Sequence, residues 1–193
     1  MRLLDCAYSK LLVLVRRAIL GWIGVSSSLG AVQPFDFKST PSAADWRAFF
    51  SAPPQWRTQL WTEETRRGVL FRDWSWTWRT AWLRACEVGN DPWCEDLLRQ
   101  GLDDPALVVR HQAVASLGQR WAGTTDPDHA DLLAKGLRDP RNWRNKKPLF
   151  IMRRILLALH SVGGPHALAV GRQFVAANRP LRDYWTALGP RSM

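Results

Sequence analysis

Residues 91–105, DPWCEDLLRQGLDDP, return at 126–140 as DPDHADLLAKGLRDP, an offset of 35 residues with nine identities in fifteen positions. The identities are Asp91/Asp126, Pro92/Pro127, Asp96/Asp131, Leu97/Leu132, Leu98/Leu133, Gly101/Gly136, Leu102/Leu137, Asp104/Asp139 and Pro105/Pro140. A repeat of this period is a supersecondary unit that cannot bury its apolar face alone, so successive units must stack and share a core. Each copy carries helix punctuation: an Asp to cap, a Pro suited to the first turn, a leucine stripe, and an Asp-Pro pair opening the next element. A second helix type alternates with it. The stretch WRTAWLRAC at 78–86 is echoed by VRHQAVASL at 109–117 and more loosely by MRRILLALH at 152–160. The expected fold class is all-α, a short α-solenoid of about three helical pairs with helical caps. The N-terminal cap spans 43–68, with Trp46, Phe49, Phe50, Trp56 and Trp61; the C-terminal one spans 181–188, with Tyr184 and Trp185.

The stretch GLDDPALVVRHQAVASLG, Gly101 to Gly118, resembles a HEAT repeat of the short bacterial kind, also called the phycobilisome-lyase-type HEAT-like repeat. The positions that carry the resemblance are Asp104, Pro105, Val109, Arg110, Ala113, Leu117 and Gly118. It extends to the flanking units and is absent before about residue 53. The third unit departs from it by inserting RNWRNKKP, residues 141–148, between Asp139-Pro140 and its helix. The resemblance implies stacked helical pairs presenting a binding surface. It implies no particular activity, because one fold hosts many functions.

Charge is unevenly spread. The formal net charge is +10. Residues 1–30 carry 4 basic and 1 acidic side chains, residues 31–134 carry 11 and 14, and residues 135–193 carry 12 and 2. A uniform excess serves solubility, whereas a clustered one points to an anionic partner. The last third is therefore where a partner is expected.

The opening segment, 1–30, has the positive, apolar, small order of a secretory signal: Arg16 and Arg17, then an apolar run from Ala18 to Val25, then small residues, with Ser28 and Gly30 placed for cleavage ahead of Ala31. Neither apolar half reaches the ~20 residues of a spanning helix. The expected organisation is a signal peptide or N-terminal anchor at 1–30, a linker at 31–42, and a helical repeat domain at 43–193. The expected location is the periplasm, free or anchored, with the cytoplasm as the alternative. Membrane association would run through the N-terminal segment. Loss of Cys6 with the signal would leave Cys86 and Cys94, flanking a turn between two helices. They are candidates for a disulfide, or for two small buried apolar residues. Two Cys with no His at ligand spacing do not complete a metal site, and no metal or cofactor is expected.

The sharpest candidate site is the basic group Arg138, Arg141, Arg144, Lys146, Lys147, Arg153 and Arg154, with Trp143 among them as a stacking surface. Most of it lies in or beside the insertion, at a helix N-terminus, where backbone N–H groups already favour anions. Trp74, Trp78 and Trp82 recur every four residues and read as one buried helix stripe; Trp76 and Trp93 stand out as candidates for exposure. Histidines 111, 129, 160 and 166 form no metal or acid–base constellation, and no nucleophile is matched with a base. Asp103, Asp104 and Asp139 read as turn and cap residues paired with the motif arginines. The chain is expected to be non-enzymatic, an interaction or scaffold module whose basic C-terminal third binds an acidic protein or another anionic ligand. The alternative is nucleic-acid binding, since alkylpurine DNA glycosylases use a related HEAT-like fold.

Overall fold

The computed structural model describes residues 35–189 except 69, 88 and 90, and from Asp36 onward the chain forms one compact unit. The expected signal or anchor at 1–30, with Cys6, lies outside the described residues. Nine α-helices occur among those described: α1 Ala43–Ser51, α2 Pro54–Arg66, α3 Trp76–Ala85, α4 Pro92–Leu102, α5 Leu107–Arg120, α6 Pro127–Arg138, α7 Phe150–Val162, α8 Gly164–Ala176 and α9 Arg179–Ala187. From α3 on, α3 packs against α4, α4 against α5, α6 against α7, α7 against α8 and α8 against α9, while α3, α5, α7 and α9 also pack on one another in turn and α6 packs on α8. The result is two layers of helices, an all-α fold, with one two-stranded ribbon among the described residues, inserted between α6 and α7.

The repeated residues explain how the layers form. Leu97, Leu98, Leu133 and Leu137 are fully buried, as are Val109, Ala113 and Leu117 of the alternating helix type. Gly101 and Gly136 occupy the same repeat position because helices meet there. A Cβ on Gly101 would lie 2.9 Å from Ala113 Cβ and from Leu83 Cδ1, and one on Gly136 would lie 2.8 Å from Ile155 Cδ1. The Asp-Pro pairs make a recurring turn in which the aspartate accepts from the backbone N–H two residues on: Asp104 from Ala106 (2.8 Å), Asp126 from Asp128 (2.9 Å) and Asp139 from Arg141 (2.8 Å).

The motif arginines tie successive units together. Arg79 of α3 grips Asp104 from two sides, Nε to Oδ2 at 2.7 Å and Nη2 to Oδ1 at 3.1 Å, and also donates to the carbonyls of Arg72 and Trp74. Arg110, one unit on, does not take the equivalent Asp139. It donates to Asn142 Oδ1 and to the carbonyls of Asp104, Pro105 and Arg141, so all five of its N–H groups are used. Asp139 is held instead by Arg141, Nη2 to Oδ2 at 2.6 Å, and Asp103 is the more distant partner of the same arginine at 3.5 Å. The expected pairing of the motif arginines with these aspartates therefore holds for Asp104 alone.

Two further expectations are corrected. Residues 36–42 are no tether. Phe37 is buried and stacks on Trp74 with centroids 4.4 Å apart, Ser75 N–H donates to the Phe37 carbonyl, and Trp78 Nε1 donates to that of Asp36. Trp74, Trp78 and Trp82 are all buried, but Trp74 precedes α3, which starts at Trp76, and joins the core by way of a 3-10 turn. Helix α8 starts directly after α7: Gly163 and Gly164 both have positive φ there, and Pro165 lies in the first turn.

Candidate anion-binding site

The inserted residues 141–148 fold into a β-hairpin. Trp143–Arg144 pairs antiparallel with Lys147–Pro148, and the two turn residues Asn145 and Lys146 both adopt positive φ, 51° and 61°. Two successive left-handed residues define the turn whose twist matches that of paired strands. Asn tolerates the conformation and Lys does so at a cost.

The root of the hairpin caps α6. Asn142 Nδ2 donates to the Gly136 carbonyl at 2.9 Å and Trp143 Nε1 to the Leu137 carbonyl at 3.2 Å, filling acceptors that a helix C-terminus leaves open. Asn142 is fully buried, and its Oδ1 receives Arg110. The hairpin is thus fastened to α6 and α5 through one asparagine. In the sequence, the one signal for Asn142 is its place two residues after the repeated Asp139-Pro140.

The candidate cations do not form one cluster. Arg141 is neutralised by Asp139: that hydrogen bond raises the guanidinium further and holds the Asp139 carboxyl below its ordinary range. Arg153 lies over the Tyr184 ring of α9, 5.6 Å from its centroid. Arg154 turns toward α5, where its Nε faces His111 Nε2 at 3.4 Å; burial and this guanidinium push the His111 pKa down. Adjacent helix positions diverge by about 100°, so Arg153 and Arg154 serve opposite neighbours of α7. Arg138, Arg144, Lys146 and Lys147 are exposed, and among the described residues none of them has an ion-pair partner. Trp143 is half-buried and packs against Phe174 of α8, centroids 6.2 Å apart, so it is committed within the fold and is not an open stacking platform. Phe150, 52% exposed and resting on His111, is the aromatic ring that faces solvent near the hairpin.

The other singled-out residues divide similarly. Trp76 is 53% exposed, whereas Trp93 stacks on Trp61 at 5.0 Å within the aromatic cluster formed with Trp74 and Trp82. Cys86 and Cys94 are free, buried thiols in hydrogen-bond contact; that bond and burial push the Cys86 thiol well up. Among the described residues no group of His, Cys, Asp and Glu could hold a metal ion, and no helix is long and apolar enough to cross a membrane. No family model, curated protein or solved structure matches the chain.

Proposed function

We propose that the chain is a non-enzymatic helical-repeat binding module of the HEAT-like kind, exported to the periplasm, which recognises an acidic protein surface through the basic hairpin. The observation that carries this reading is the state of Arg144, Lys146 and Lys147. They are exposed and lack carboxylate partners among the described residues, on a hairpin anchored by Asn142 and Trp143. Holding like charges close together costs free energy in the free protein, and an anionic partner recovers it. Anchored presentation also lowers the entropy lost on binding.

The test is a pull-down of acidic partners with Arg144, Lys146 and Lys147 all changed to Glu. Loss of retention is expected, with the fold preserved by circular dichroism. Retention at the original level would refute the surface. Arg141 is left out, since its charge is spent on Asp139 and its loss would perturb the turn.

A second reading, nucleic-acid binding, is favoured by exposed Phe150, which follows the basic hairpin in the chain and offers a ring on which a base can stack. It expects single-strand affinity that falls steeply with salt and drops further in Phe150→Ala. Absence of binding at low salt dismisses it.

A further inference from the structure

Beside the hairpin, α6 and α8 leave an open groove of about 840 Å³. Its floor is apolar: Leu137 from α6, Val170 and Phe174 from α8. Trp143, resting on Phe174, joins the groove to the hairpin. Lys135 and Arg138, from the last turn of α6, stand on the rim.

The rim also carries two carboxylates, but both are engaged. Asp131 Oδ1 is 2.7 Å from His166 Nε2, and Asp139 is gripped by Arg141. Lys135 and Arg138 have no ion-pair partner among the described residues. The groove therefore offers an occupant an apolar floor and two rim cations, Lys135 and Arg138, without ion-pair partners among the described residues, with three more cations on the neighbouring hairpin. From Asp131 to Arg138 the groove follows α6 for about 10 Å, at ~1.5 Å per residue. That is room for about two turns of helix or three extended residues.

We propose that this groove docks a short acidic segment of the partner protein, with apolar side chains on Val170 and Phe174 and carboxylates on Lys135, Arg138 and the hairpin. The inference rests on the acidic-partner reading above and adds to it a place and a chemistry for the bound segment. Charge complementarity selects the acidic residues, and the floor selects against a purely polar polyanion, which cannot replace the water displaced from Val170 with apolar contact. Nucleic acid, with phosphates and no aliphatic side chains, matches the rim and not the floor.

The test uses the full chain and two fluorescent peptides of equal charge, one alternating Glu with Leu and one alternating Glu with Ser, read by anisotropy. The Glu-Leu peptide is expected to bind more tightly. Arg138→Glu and Ala177→Glu, both at exposed positions lining the groove, are expected to weaken it about tenfold or more. Val170→Ser is expected to weaken the Glu-Leu peptide and leave the Glu-Ser peptide unchanged. Arg66→Glu, exposed on α2, serves as a charge-reversal control without effect. Equal binding of the two peptides, unaltered by Ala177→Glu and Val170→Ser, would overturn the groove while leaving the hairpin reading intact. Failure of both peptides to bind, with DNA retained through Arg144 and Lys147, would overturn both.

Discussion

Arg79 and Arg110 hold the same place in successive repeats and are both buried, 7% and 2% exposed, yet they solve the problem of a buried guanidinium differently. Arg79 has an ion-paired carboxylate, hydrogen-bonded through Nη2; Arg110 has an amide oxygen and carbonyls, with burial and then neighbouring Arg141 lowering its pKa. Removing one member of a buried ion pair leaves the other charge desolvated, a loss of about 3–5 kcal/mol. Arg79→Met is therefore expected to lower unfolding stability by that amount in urea, and Asp104→Asn by a similar amount; a double-mutant cycle should show strong coupling between the two. Asp139 carries a pH signature. Its folded pKa is depressed, chiefly by the hydrogen bond from Arg141, so it contributes stability above its unfolded pKa of about 3.9 that is lost as pH falls through the folded value. Urea midpoints measured against pH should fall less steeply on the acid side in Asp139→Asn than in the parent protein.

The hairpin is where one element combines structural and binding roles, and they separate at Lys146. Its positive φ suits glycine, while a β-branched residue there is strained by about 1–3 kcal/mol. Lys146→Gly should change stability by less than about 1 kcal/mol, and Lys146→Val should destabilise. Both lose the same charge and should weaken the acidic partner equally, which thermal melts and binding isotherms together would show. The sequence marked the element only as an insertion. Two-residue strands lack enough alternation to read, and the hairpin's anchor, Asn142, gained its role from the tertiary position of Arg110 and the open end of α6. Helix α8 was hidden for a local reason: glycine and proline, breakers inside a helix, are also what a helix start accepts.

Across the whole molecule, the aromatic residues lie mainly in the part before α5. Phe37, Phe49, Phe71, Trp74, Trp78 and Trp82 are buried in one cluster that α1, α2 and α3 close over. Cys86 ends α3 and Cys94 lies in the first turn of α4, the first of the repeated helices. The hydrogen bond between them raises the Cys86 thiol and lowers the Cys94 thiol, but both are buried, so alkylation is expected to be slow in native buffer. In urea both should react over the same transition that removes the far-UV signal. Rapid labelling in native buffer would show that this end opens independently of the rest.

The all-helical layers and the burial of Leu97, Leu98, Leu133 and Leu137 were already present in the 35-residue repeat, and the burial of Trp78 and Trp82 in their four-residue spacing. Those properties follow from periodicity, and periodicity is local. Which cations remain available was decided by the tertiary structure. The eight candidates, Arg138 to Arg154, are nearly continuous in sequence, but Arg141 meets Asp139, Trp143 caps α6, and Arg153 and Arg154 turn to different helices, leaving Arg138, Arg144, Lys146 and Lys147 without ion-pair partners among the described residues. The direction of a side chain and the identity of its neighbour depend on how helices are rotated against one another, and those rotations are set by packing between segments far apart in the chain.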